Sequence, residues 1–101
     1  MHLEHSSANE LTITGNIKSI EDSLKIKGEI TRIIKIDGPK IKLLIKDSFS
    51  MTSTVIGFLM KLVHNDKIQI STSVGDSRLY DLLDELNLVQ LLNVFIRTEK
   101  N

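Results

Sequence analysis

Cysteine and tryptophan are absent from the 101 residues, and proline and tyrosine occur once each. Without cysteine there can be no disulfide framework, no thiolate ligand for zinc and no thiol nucleophile. The five glycines, Gly15, Gly28, Gly38, Gly57 and Gly75, stand apart from one another. A phosphate cradle needs several together, and the G-x-S-x-G, P-loop and dinucleotide signatures are all missing. Neither sign of charge prevails: 13 basic side chains meet 13 acidic ones. That balance lacks the basic footprint of a nucleic-acid binder. No run approaches the roughly 18 apolar residues of a membrane span. The N-terminus also lacks a basic region followed by an apolar one. A cytoplasmic protein with no membrane insertion is therefore the expectation.

What is present is a core-forming composition. Hydrophobic residues make up 41% of the chain, mostly Leu and Ile. The length suits one domain over residues 1–101. Leu11 and Ile13 alternate with Thr12 and Thr14 at the period of a strand, and MHLEH before the Ser6–Asn9 turn completes an N-terminal antiparallel hairpin. Ser19 followed by Asp22 resembles a capping box and opens a helix toward Lys35. On that helix Ile20, Leu24, Ile30 and Ile34 share a face, but Lys27 falls on it too. Leu24, Ile26, Gly28 and Ile30 also alternate like a strand, so a hairpin turning at Asp37-Gly38 fits the same residues.

Beyond the turn at Asp37–Lys40, IKLLIKD reads as a buried strand. Val55, Ile56, Phe58, Leu59, Leu62 and Val63 recur at helical spacing, and His64-Asn65-Asp66 ends that helix, with His64 favouring its C-terminal end. KIQIS, residues 67–71, is a short strand. Asp76 or Ser77 caps a last helix whose Leu79, Leu82, Leu83 and Leu86 form the cleanest apolar stripe in the chain. Leu91 to Ile96 finish as a helical turn and then a short strand, LNVFI. Strands alternating with helices predict an α/β fold. Its sheet is mixed but mostly parallel, of four to five strands with about three helices.

Few residues suggest chemistry. His2, Glu4 and His5 lie close in sequence, but on a strand the two histidines face opposite ways, so no metal and no cofactor is expected. Asp81, Asp84 and Glu85 lie opposite the leucine stripe, where Arg78 can pair with Asp81. Nothing pairs a nucleophile with a base, so the chain is not expected to be an enzyme. The stretch DSFSMTST, residues 47–54, is different. One hydroxyl caps a helix, yet Ser48, Ser50, Thr52, Ser53 and Thr54 all precede the same helix. They stand beyond the carboxyl end of a parallel strand, where open α/β sheets place their sites.

These elements together resemble the STAS domain, the fold of bacterial anti-sigma factor antagonists. Gly15-Asn16-Ile17-Lys18 stands where that family has Gly-Glu-Leu-Asp. Gly38-Pro39 and IKLLIKDS resemble its turn and central strand. MTSTVIGFLM resembles the segment around its Asp-Ser-Ser-Gly-Leu-Gly motif, and SRLYDLLDELNLVQLLNVF its last helix and ending. The resemblance favours helix for residues 19–35. It sets Ser53 on the first motif serine and Thr54 on the phosphorylated one. Thr52 replaces the family's Asp, and Val55 its first glycine.

The function it implies is a regulatory module that binds a protein partner, an anti-sigma factor of the kinase-like kind. Ser48, Phe49, Ser50, Met51 and Thr52, with the following helix, would form the contact. Thr54 and Ser53 are the phosphoacceptor candidates. A second reading is a constitutive STAS-like subunit of a membrane transport complex, with a transporter subunit as partner; the missing Asp and Gly fit it. A homodimer is compatible with either.

Overall fold

The structure is a computed structural model and describes residues 1–97. Within them the chain forms β1 (His2–Ser7), β2 (Glu10–Thr14), α1 (Ile20–Asp37), β3 (Lys40–Ile45), α2 (Ser53–His64), β4 (Gln69–Val74), α3 (Ser77–Glu85) and β5 (Val94–Ile96). The strands lie side by side in chain order. The first pair is antiparallel and the other three pairs are parallel. This is the α/β architecture with an N-terminal hairpin that the sequence pattern predicts.

Strand alternation divides the sheet into two unlike faces. Leu11, Leu43 and Thr72 lie side by side, as do Ile13, Ile45 and Val74, and all six are buried. The opposite face carries Thr12, Leu44, Lys42 and Phe95, which are exposed or half-buried. Right-handed crossovers between neighbouring parallel strands set every connecting helix on the same side. The helices therefore cover one face only, and the core lies between them and the sheet.

Helix α1 is real from end to end. Ser19 Oγ accepts from Asp22 N at 3.0 Å, and Asp22 Oδ2 accepts from Ser19 N at 3.3 Å, a complete capping box. Its buried face differs from the one the pattern suggested. Ser23, Ile26, Ile30 and Ile33 face the core, whereas Ile20 and Leu24 are 73% and 57% exposed. Lys27 lies beside α2, its ammonium 5.5 Å from the centre of the Phe58 ring.

Two other expectations are corrected. The fourth strand begins at Gln69 rather than Lys67, because Lys67 has a φ of 56° and Ile68 N turns back to Leu62 O at the end of α2. Leu86 is not part of the core stripe. Helix α3 ends at Glu85, and Leu86 is its exposed C-cap.

Candidate functional site

The stretch 47–54 forms the bridge from β3 to α2 at the carboxyl edge of the parallel strands. That edge is drawn tightly together. Gly15, with a φ of 91°, ends β2 in a conformation that favours glycine, and its N–H donates to Asp47 Oδ1 at 2.6 Å. Gly75 ends β4 with its N–H on Ile45 O at 2.9 Å. A Cβ at position 75 would overlap the Lys46 carbonyl oxygen, so the two backbones approach as only glycine allows.

The hydroxyl-rich stretch then separates into an inner and an outer group. Ser48 is fully buried. Its Oγ accepts from Ile17 N at 3.0 Å and donates to Ser50 O at 2.7 Å, so it ties the turn to the segment leaving β2. Met51 is 7% exposed and belongs to the core. Thr52 is the N-cap of α2, with Oγ1 accepting from Val55 N at 3.2 Å. It also lies 2.6 Å from Ser23 Oγ. Ser23 has one hydroxyl proton, directed at Ser19 O at 3.0 Å, so Thr52 is the donor in that contact. Ser48 and Met51, expected to face a partner, are thus anchors, and Thr52 is a half-buried cap.

The outer group is exposed. Ser53 and Thr54 occupy the first turn of α2 with their side chains in solvent. Their position at a helix N-terminus favours added negative charge. Phe49 is 44% exposed, its N–H facing Asn16 Oδ1 at 3.3 Å. Its ring carries the Arg78 guanidinium, with Cζ 4.8 Å from the ring centre. Ser50 is half-buried beside it.

Arg78 is held from behind. Its Nε and Nη2 meet Asp76 Oδ1 and Oδ2 at 3.0 and 2.7 Å, a bidentate pair. Asp76 also caps α3 by accepting from Arg78 N at 2.8 Å. The side-chain and backbone donors of Arg78 hold the Asp76 carboxyl at a pKa of about 2. Arg78 therefore pairs with Asp76, not with Asp81. The capping geometry has already turned the Asp76 carboxylate toward it, whereas Asp81 stays in solvent.

Sequence reasoning did not find Asn16, Ile17 or the Phe49–Arg78–Asp76 unit. The Asn16, Ile17 and Phe49–Arg78 contacts join segments far apart in the chain and leave no local pattern, while the Asp76–Arg78 pair is local and follows from Asp76 capping α3. Nor did it find that His5 is committed elsewhere. Its Nε2 is 2.7 Å from Asp37 Oδ2 at the end of α1, and its Nδ1 is 3.4 Å from Arg32 Nη2. The same Asp37 oxygen accepts from Asn9 N at 2.9 Å. Among the described residues no helix is long and apolar enough to cross a membrane. No family model, curated protein or solved structure matches the chain.

Proposed function

We propose that the chain is a cytoplasmic regulatory module that binds a protein partner through the carboxyl edge of its sheet. The observation that carries this reading is the split within residues 48–54. Buried Ser48 and Met51 and the Thr52 cap fix the backbone, while Phe49, Ser53 and Thr54 are presented outward. A rigid backbone lowers the entropy cost of docking. Phe49 braced on Arg78 supplies an aromatic and arginine pair, the residue types enriched at binding hot spots. Ile20 and Leu24, which flank Ser23 and hence the Thr52 contact, add exposed apolar area to the same edge.

Phosphorylation of Thr54 or Ser53 would be the control, as the STAS resemblance implies. A phosphate there adds about −1.5 to −2 charges at pH 7. The helix N-terminus tolerates that charge, so the fold persists while a partner fitted to the uncharged turn is repelled. A constitutive subunit of a transport complex is the second reading. Val55 favours it, because a buried core residue stands where the resemblance wants a glycine.

Capture from native lysate with four baits separates these. The wild-type chain, Phe49→Ala, Thr54→Glu and a Lys35→Gln control are compared, with thermal melts for each. The switch reading expects a specific partner that is lost with Phe49→Ala and with Thr54→Glu at unchanged melting temperature. Retention by Thr54→Glu, with an ATPase captured, supports the constitutive reading. Equal capture by all four baits refutes the edge as the contact.

A further inference from the structure

At the opposite, amino edge of the parallel strands lies a cavity of about 530 Å³. That volume is in the range of sites for small organic molecules. Val63 and Leu91 contribute partly exposed apolar walls and Ile68 a nearly buried one. Ile41 and Ile70 also line it, but their side chains are buried on the helix-covered face, opposite to Lys40 and Lys42. Lys40 and Lys42 open onto it from β3. Both are exposed, and among the described residues no acidic side chain lines the cavity. The nearest carboxylate in the sheet register is Glu10, beside Lys42, and it accepts from Ser7 Oγ and Ser6 Oγ at 2.6 and 3.0 Å.

Two asparagines shape the rim. Asn9 and Asn93 have φ values of 60° and 50°, a left-handed conformation uncommon outside glycine. Each is pinned by the strands it joins. Asn9 Nδ2 donates to Lys40 O at 3.0 Å, and its carbonyl accepts from Lys42 N at 2.7 Å. Asn93 Nδ2 donates to Ile70 O at 2.8 Å, and its carbonyl accepts from Thr72 N at 3.1 Å. With each Nδ2 bonded to a strand carbonyl, each Oδ1 is an acceptor that no donor meets among the described residues. The cavity thus combines partly exposed apolar walls, two cations and two oriented acceptors.

We propose that this cavity binds a small amphipathic organic anion. Its apolar body would lie against Val63 and Leu91, its anionic head against Lys40 and Lys42, and a hydroxyl or amine donor against the asparagine oxygens. This site is separate from the Phe49 edge and does not depend on the partner reading.

Anilinonaphthalene sulfonate, an apolar fluorophore with one fixed negative charge, is the probe. Titrated into the full chain, it is expected to show saturable single-site fluorescence and to raise the melting temperature, as binding to the folded state requires. Lys40→Gln combined with Lys42→Gln should weaken its Kd about fivefold to tenfold, the scale of two exposed charges. Lys18→Gln with Lys25→Gln should leave it unchanged. Octanoate should displace the probe more strongly than octanol. Absence of saturable binding, a fall in melting temperature, equal affinity in the Lys40/Lys42 variant or equal displacement by octanol would each overturn the proposal.

Discussion

Where β2, β3 and β4 end, the backbone closes on itself: Gly75 N reaches Ile45 O, Gly15 N reaches Asp47, and Ser48 bonds two segments at once. Where β3, β4 and β5 begin, Asn9 and Asn93 are bonded to the strands at the rim of a cavity. One edge excludes volume and presents a rigid outer surface. The other encloses volume and leaves its polar groups half-used. The difference underlies the two kinds of recognition proposed above, a macromolecular surface at the closed edge and a small molecule at the open one.

The closed edge is most directly broken at Gly75. A methyl group there meets the Lys46 carbonyl oxygen, which is backbone and cannot swing away. Gly75→Ala is expected to destabilise the fold by about 3 kcal/mol or more, above the usual range for overpacking. Urea denaturation measures it. A loss under about 1 kcal/mol would show that the edge yields more easily than its geometry suggests.

Hydrogen bonding gives the next largest contrast. Ser48→Ala leaves Ile17 N and Ser50 O without their side-chain partner in a buried position, a loss of about 1–3 kcal/mol. Asn93→Gly removes one bond to Ile70 O from a half-open rim, keeps a residue suited to the left-handed φ of 50°, and is expected to cost less than Ser48→Ala in the same urea series. Equal losses would erase the distinction between a sealed and an open edge.

How much of this was legible in the sequence depends on how local each cause is. The order of elements was, because strand alternation and helical spacing are local. The face of α1 was not. Its core stripe includes Ser23, whose hydroxyl bonds Ser19 O and Thr52, while the apolar Ile20 and Leu24 stay outside. Hydrophobic patterning weighs Ser23 as polar and the other two as core, and so turns the helix the wrong way. The start of β4 was hidden for a different reason. Ile68 and Ile70 alternate whichever residue begins the strand, and only the left-handed Lys67 sets the boundary. In the candidate site a hydroxyl cap for α2 was legible, but not that Thr52, expected at the partner contact, supplies it. The burial of Ser48 was not, since its partner is Ile17, 31 residues away. The cavity was invisible because its rim joins the β1–β2 turn to the entry of β5.

Acid titration separates the two edges by charge. Asp76 at the closed edge has its pKa lowered to about 2, first by the side chain of Arg78 and then by its backbone N–H. Asp37, bonded to Asn9 near the open edge, is also lowered, first by the Asn9 N–H and then by His5. A folded-state pKa below the unfolded value means that the unfolded chain binds protons first as pH falls. Each carboxylate therefore contributes stability above about pH 4. For Asp76 that contribution drains away between about pH 4 and pH 2, its folded value. Asp76→Asn removes this part of the acid dependence and should flatten the urea midpoint over that window. Asp37→Asn should leave the Asp76 part in place. Phe49 reports the local event, because protonating Asp76 frees Arg78 from its bidentate hold and loosens the stack on the ring. The ring resonances of Phe49 should then shift through the same window in the wild type and in Asp37→Asn, and stay flat in Asp76→Asn. A Phe49 shift that follows Asp37 instead would mean that the two edges are coupled through the sheet rather than independent.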